Sequence, residues 1–159
     1  MSICARLRSR VTFMLMNGFS IPDATLAAYR AAIYRIRGEP PIDMTIGEKN
    51  VSVAALLGRH GVASAMFVTA FNPFGCELSA EQNAARQRAL EAHIAQAGWM
   101  ALSGEGLDPK NVWSAEASLF VLGATESDAD SLMLAYEQNA VVVVLGDGLP
   151  RLRLHPRYR

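Results

Sequence analysis

Hydrophobic and polar positions recur along the chain with periods of two and of about 3.6, which predict strands and helices in a regular order. The apolar run at residues 65–71 predicts a buried strand. Ser79 and Gln82 have the spacing of a capping box, so a helix is predicted to begin there. Three more strands are predicted in this half, at residues 99–103, 119–122 and 140–145. A second helix is predicted to begin after Thr125.

The order strand, helix, strand, strand, helix, strand is typical of the split βαβ pattern of a ferredoxin-like fold. We therefore predict an α+β fold with a ferredoxin-like βαββαβ core at about residues 64–145. A helix, a hairpin and a second helix are predicted before it, and one extra strand, 149–154, after it. The alternative is an α/β mixed sheet, which the direct step between strands across a loop at residues 104–115 disfavours.

Length and composition indicate one folded domain. The chain has 159 residues, of which 51% are hydrophobic and 19% charged, and this excludes intrinsic disorder of the whole chain. Residues 21–155 are predicted to form a single α+β domain. The apolar patch at residues 11–16 is too short for the core of a signal peptide, so residues 1–20 are predicted to be a disordered or mis-started extension.

Charge and cysteine content narrow the choice of partners. The net charge is zero, which makes electrostatic binding of nucleic acid unlikely, and no apolar run is long enough for a membrane span. Two cysteines are too few for a disulfide scaffold, which favours a cytoplasmic protein. Arginines gather near both ends of the chain, where they predict solvated tails or a basic surface for an acidic partner: Arg6, Arg8, Arg10, Arg151, Arg153, Arg157 and Arg159.

Strand directions in the predicted fold bring polar loop residues to one end of the sheet. Arg86 shares a helix face with Leu90 and Ile94, so its charge is expected to be buried and to need a partner. That partner is either Glu116 or Glu105, in a structural ion pair, or the acidic group of a ligand. The candidate ligand-binding residues are Asn72, Asn83, Arg86, Trp113, Gln138 and Asn139.

Two functions from different classes follow from this arrangement. The first is a pocket that binds a small anionic ligand through Arg86 and the flanking amides; if it is catalytic, Glu105 and Glu116 are the candidates for a general acid or base. The second is a non-catalytic protein-interaction or homo-assembly module, in which the last strand forms the edge contact of a homo-oligomer. No metal site is predicted, because the spacing does not bring Glu105, Asp108 and Glu116 together.

Several short motifs carry a family resemblance. They are Thr69-Ala70-Phe71-Asn72-Pro73, Leu78-Ser79 with Asn83 and Ala85-Arg86-Gln87, Gly104-Glu105-Gly106 with Pro109, Trp113 with Glu116, residues 118–123, and Gln138-Asn139-Ala140. With these motifs the chain resembles, over about residues 24–154, the bacterial family known as domain of unknown function 3293. The resemblance implies that this span is one unit and supplies no reaction. The chain departs from the family pattern at Phe71, where Trp is more usual, and at Glu137, where Gly is more usual.

Overall fold

In a computed structural model of the chain, residues 20–159 are described. The predicted extension at residues 1–20, except Ser20, and the three arginines nearest the start lie outside this range. The α-helices of the described part are α1 (Asp23–Ala31), α2 (Val51–Arg59), α3 (Ala80–Gln96) and α4 (Glu126–Tyr136). None of these helices is long and apolar enough to cross a membrane. Capping boxes at Ser79 and Thr125 begin α3 and α4, which confirms both predicted starts.

One sheet of seven strands organises the described residues. Its strands are β1 (Ile33–Ile36), β2 (Ile42–Met44), β3 (Ser64–Val68), β4 (Ala101–Leu107), β5 (Glu116–Leu122), β6 (Ala140–Leu145) and β7 (Pro150–Leu154). Their order is β2-β1-β4-β5-β3-β6-β7, and every neighbouring pair is antiparallel. The α+β class is confirmed. The alternative of an α/β mixed sheet is wrong, because every neighbouring pair of these strands is antiparallel.

Alternation along β3 divides the core between the two faces of the sheet. Met66 and Val68 face α3 and α4, where they pack with Leu90 of α3 and Leu132 of α4. Phe67 faces the other side, where a second cluster forms around α2. This second face is also covered by α1, whose Tyr29 backbone carbonyl accepts a hydrogen bond from the hydroxyl of Tyr34 on β1. The two faces therefore have different coverings, and the candidate site depends on which face each residue occupies.

Strand β4 is longer than the sequence predicts. The sequence predicts a loop over residues 104–115, but the strand continues to Leu107 and pairs with β1 and β5 through Gly104 and Gly106. A Cβ at position 104 would lie 2.6 Å from the Arg35 carbonyl oxygen and 2.7 Å from the Phe67 ring. Gly104 therefore serves close packing within the sheet, and the predicted loop at residues 104–107 is wrong.

The last strand and the residues after it are fixed to the domain rather than free as a tail. β7 is an edge strand, and its Arg153 forms ion pairs with Asp130 and Glu126. Arg159 pairs with the same Asp130, and the Arg157 guanidinium lies 3.6 Å from the centre of the Phe74 ring. The prediction of a solvated C-terminal tail is wrong, because acidic and aromatic groups of the same chain engage these arginines.

Candidate functional site

A cavity of about 450 Å³ lies between α1 and the sheet face that carries Phe67. Its wall on the helix side includes the small residues Ala24, Thr25 and Ala28 together with Tyr29. Ala24 and Ala28 are four residues apart and lie on one face of α1. Larger side chains at these positions would fill the space above the sheet, so the small side chains of α1 leave room for the cavity.

One row of residues crosses the cavity floor from β1 to β5. Tyr34 lies opposite Gly106, and Gly106 lies opposite Glu116. Directly opposite residues of an antiparallel pair have Cβ positions about 4.5–5.5 Å apart. Gly106 has no side chain, and a Cβ there would lie 3.9 Å from the Trp113 ring. The row thus combines an aromatic phenol, a gap flanked by an indole, and a carboxylate.

Asn72 orients the Glu116 carboxylate. Its side-chain nitrogen donates to Glu116 Oε1 at 2.8 Å, while its oxygen accepts from the Leu78 amide and from Asn83. Asn72 itself has φ of 48°, in the left-handed region that asparagine tolerates better than most residues. The Asn72 side chain thus links the segments at Leu78 and Asn83 to the Glu116 carboxylate and holds that carboxylate at the cavity.

Gln138 and Asn139 complete the polar rim. The Gln138 side-chain nitrogen donates to the carbonyls of Phe71 and Tyr136, and among the described residues no donor bonds to its Oε1. Asn139 donates to the Tyr29 hydroxyl at 3.3 Å and accepts from the Tyr158 hydroxyl at 2.6 Å. The Gln138 side chain therefore joins the backbone after β3 to the end of α4, and Asn139 joins α1 to the C-terminal residues.

The electrostatic character of the cavity is acidic and aromatic. Burial raises the pKa of Glu116 above its ordinary value, and the hydrogen bond from Asn72 opposes that rise. Burial also raises the pKa of the Tyr29 and Tyr34 hydroxyls, so both are neutral near pH 7. No Lys, Arg or His of the described residues lines the cavity, and its second charged side chain is Glu77.

Comparison with known proteins gives one match. Residues 68–141 match the family described as protein of unknown function (DUF3293). This part of the chain belongs to that family. No curated protein and no solved structure matches the chain. The DUF3293 span runs from the end of β3 to the start of β6 and holds the rim, Glu116 and Trp113, whereas the α1 wall and Tyr34 precede it.

Arg86, in the DUF3293 span, lies outside the cavity lining. Its Nε donates to the Ala70 carbonyl at 2.8 Å and its Nη2 to the Tyr136 carbonyl at 2.6 Å. Its acidic neighbour is Glu137, with 3.6 Å between Nη1 and Oε2. The prediction of a partly buried charge with a partner is correct, but the predicted partners, Glu116 and Glu105, are wrong. Arg86 joins the end of β3 to the end of α4.

Asn83 and Glu105 also lie outside the lining of the cavity. Asn83 is buried and accepts from the Asn72 amide, so it supports the loop behind the rim. Glu105 alternates with Gly104 and Gly106 along β4, which turns it to the opposite face, where it pairs with Arg37. Of the eight candidates, the structure brings five together at the cavity: Asn72, Trp113, Glu116, Gln138 and Asn139.

No metal-binding group emerges from these carboxylates. Among residues 20–159, no three His, Cys, Asp or Glu side chains are placed to hold one ion. Asp108, which was considered with Glu105 and Glu116, instead accepts from the amides of Lys110 and Val112 and orders the turn after β4. Its pKa is lowered by these backbone hydrogen bonds. Glu105, Asp108 and Glu116 therefore have three separate roles in the structure: an ion pair with Arg37, the turn after β4, and the cavity floor.

Tyr29 and Tyr34 are among the cavity residues that the sequence does not predict. Both precede the DUF3293 span and the predicted ferredoxin-like core. The sequence of α1 carries a signal, because alanine occupies positions 24 and 28, a spacing that puts small side chains on one helix face. A helix that turns such a face to a sheet either packs closely against the sheet or leaves a cavity between the two.

We expect Glu137→Gly to raise the free energy of unfolding by about 0.5–1 kcal/mol. Glu137 ends α4 with φ of 55° and ψ of 46°, a conformation that costs a residue with a Cβ more than it costs glycine. Its half-exposed ion pair with Arg86 returns little of that cost. Urea denaturation measures the difference. Glu137→Ala removes the same charge and keeps the strain, so equal stabilisation by both variants would contradict the backbone explanation.

Proposed function

We propose that the cavity under α1 binds one small organic molecule. The observation that carries the proposal is the cavity itself, whose volume of about 450 Å³ is within the range of small-molecule sites, about 300–1,000 Å³. Its lining is mostly apolar and aromatic, with a few polar groups that converge on the interior. Such a combination binds through apolar contact and selects through a few hydrogen bonds.

Backbone strain beside the rim supports the same proposal. Asn72, Phe74 and Glu137 all have positive φ, and the Phe74 amide donates to the Glu137 carbonyl at 2.6 Å. A residue other than glycine in this region costs about 1–2 kcal/mol. Strained backbone tends to gather at ligand sites, where the surrounding structure maintains it. The loop after β3 therefore has the character of a preformed binding loop.

The proposed ligand differs from the anion that the sequence predicted. That prediction depended on the Arg86 charge, which is engaged by two carbonyls and Glu137. The cavity lining among the described residues holds two carboxylates and no basic side chain. We propose a neutral or positively charged ligand for this cavity, and a structural role for Arg86 behind its rim.

We also propose that the central strands with α3 and α4 form a ferredoxin-like core. The spatial order β4-β5-β3-β6, antiparallel throughout, supports it, as does the passage of the chain through α3 and α4 between these strands. In such a core both helices cover one face of the sheet. The other face is then available as the floor of a binding site, which α1 and α2 cover here.

A thermal-shift screen against a library of small organic molecules tests the binding proposal. We expect a ligand at 100 times its dissociation constant to stabilise the protein by about 2.7 kcal/mol. For a chain of this size, that corresponds to a rise in Tm of about 5–10 °C. The variant Ala28→Phe fills the cavity and is expected to abolish such shifts.

Ala27→Phe is the matched control for that screen, because Ala27 is exposed on the same helix and does not line the cavity. It is expected to retain every shift seen with the wild type. Shifts that survive Ala28→Phe would place the ligand elsewhere and contradict the proposal. A screen without hits would favour the protein-interaction alternative.

A further inference from the structure

We propose that the ligand of this cavity carries a positively charged ammonium group and that Glu116 is its counter-ion. The inference rests on the proposed function and names the class of ligand. It is carried by the row Tyr34, Gly106 and Glu116 on the cavity floor and by the absence of a basic side chain among the described lining residues.

The position of the Glu116 carboxylate favours a positively charged ligand. Glu116 is partly buried, and only one of its carboxylate oxygens, Oε1, accepts a hydrogen bond from a described residue. The donor is the neutral amide of Asn72. A carboxylate removed from water is costly unless a positive charge or several donors compensate for it. The second oxygen, Oε2, is therefore the group for which the protein supplies no described partner.

The surface around the Glu116 carboxylate is aromatic. Tyr34 lies two strands away in the same row, and the Phe67 ring contacts Tyr34 edge to face with 5.4 Å between the ring centres. Trp113 flanks the gap over Gly106, between Tyr34 and Glu116. Aromatic faces attract organic cations through their quadrupoles. A cation that enters this gap meets a carboxylate on one side and aromatic rings on the others.

The titratable groups that line the cavity together with Glu116 are the hydroxyls of Tyr29 on α1 and Tyr34 on β1 and the carboxyl of Glu77, which precedes α3. Both tyrosines are neutral near pH 7, and Glu77 is acidic. No group among these repels a cation. An anionic ligand would meet two carboxylates, which oppose its binding.

Protonation of Glu116 gives the proposal a pH dependence. Burial raises the pKa of Glu116 above its ordinary value, so the carboxylate becomes neutral at a higher pH than a solvated glutamate. An aliphatic amine stays protonated throughout this range. We therefore expect binding of an amine to weaken as the pH falls through the raised pKa, whereas binding of a neutral isostere stays constant.

Three matched probes test the inference: 2-phenylethylamine, 2-phenylethanol and phenylacetate. They share an aromatic ring and differ in the charge of the polar end. In NMR titrations of the full chain near pH 7, we expect the amine to bind at least about tenfold more tightly than the alcohol, and phenylacetate to bind most weakly. The amine-to-alcohol ratio of the wild type is itself a test that needs no variant.

Glu116→Gln keeps an Oε1 acceptor for Asn72 and removes the charge. We expect it to weaken amine binding by about tenfold or more and to change alcohol binding by less than about twofold. Glu105→Gln is the matched control, because Glu105 lies on the opposite face of the sheet. Its affinities for all three probes are expected to equal those of the wild type.

The outcomes separate this inference from the proposed function. If the alcohol binds as tightly as the amine, or if Glu116→Gln leaves the amine affinity unchanged, the counter-ion role is wrong and the binding cavity stands. If none of the three probes binds and the wider screen has no hit that Ala28→Phe abolishes, both proposals fall. An amine preference that disappears in Glu116→Gln and persists in Glu105→Gln supports the inference.

Discussion

Arg86→Met is expected to lower the free energy of unfolding by about 2–4 kcal/mol, because two carbonyls lose a charged donor at once. These are the carbonyls of Ala70, at the end of β3, and Tyr136, at the end of α4. Methionine retains much of the apolar stem and supplies no donor. Urea denaturation followed by circular dichroism measures the loss, and ligands found in the thermal-shift screen should still bind to the folded variant.

Arg88→Met is the matched control for this prediction. Arg88 lies on the same helix, two residues further on, and is exposed. A surface substitution of this kind changes stability by about 0.5 kcal/mol or less. An Arg86→Met protein that is as stable as the wild type but no longer binds ligand would restore the original hypothesis, in which Arg86 meets an anionic ligand.

The partners of Arg86 show which part of a site can be predicted from the sequence. Helical spacing with Leu90 and Ile94 correctly indicates that the side chain points inward and needs a partner. The partners are backbone carbonyls 16 and 50 residues away along the chain. Every residue has a carbonyl, so a carbonyl partner leaves no mark in the sequence, whereas acidic side chains do. Residue types therefore predict the acidic partners Glu116 and Glu105 and give no indication of the two carbonyls.

The position of the cavity could be predicted only in part, for a related reason. The order of strands and helices correctly brings the rim residues Asn72, Gln138 and Asn139 to one end of the sheet. The order of elements does not predict which face of the sheet carries the cavity. That depends on α1, which precedes the DUF3293 span and packs with small side chains. Asn83 and Arg86 consequently lie on the α3 side, and Glu116 and Trp113 on the cavity side.

The glycines of β4 show, within one strand, that contacts between distant residues cannot be predicted from the local sequence. Gly104 and Gly106 favour a loop by local preference, because glycine weakens most strands. The structure uses them for space: the Phe67 ring extends over Gly104 to reach Tyr34, and Trp113 lies beside Gly106. A close approach between distant residues overrides the local preference, and the sequence carries no direct record of it.

Gly104→Ala tests that explanation and is expected to lower the free energy of unfolding by about 1–3 kcal/mol. The new Cβ would lie 2.6 Å from the Arg35 carbonyl oxygen and 2.7 Å from the Phe67 ring, closer than such atoms approach in proteins. The backbone oxygen belongs to the neighbouring strand β1 and has no free rotation by which to withdraw. Either β1 shifts or the Phe67 ring leaves its contact with Tyr34, and both changes cost packing.

Gly106→Ala is a matched control on the same strand and the same face. Its nearest neighbour would be the Trp113 ring at 3.9 Å, an ordinary contact. We expect its stability to be within about 0.5 kcal/mol of the wild type. Because the methyl group narrows the gap between Tyr34 and Glu116, Gly106→Ala should weaken ligand binding while Gly104→Ala weakens folding. Equal stability of the two variants would contradict the close approach at Gly104, and with it the reason that β4 continues through both glycines.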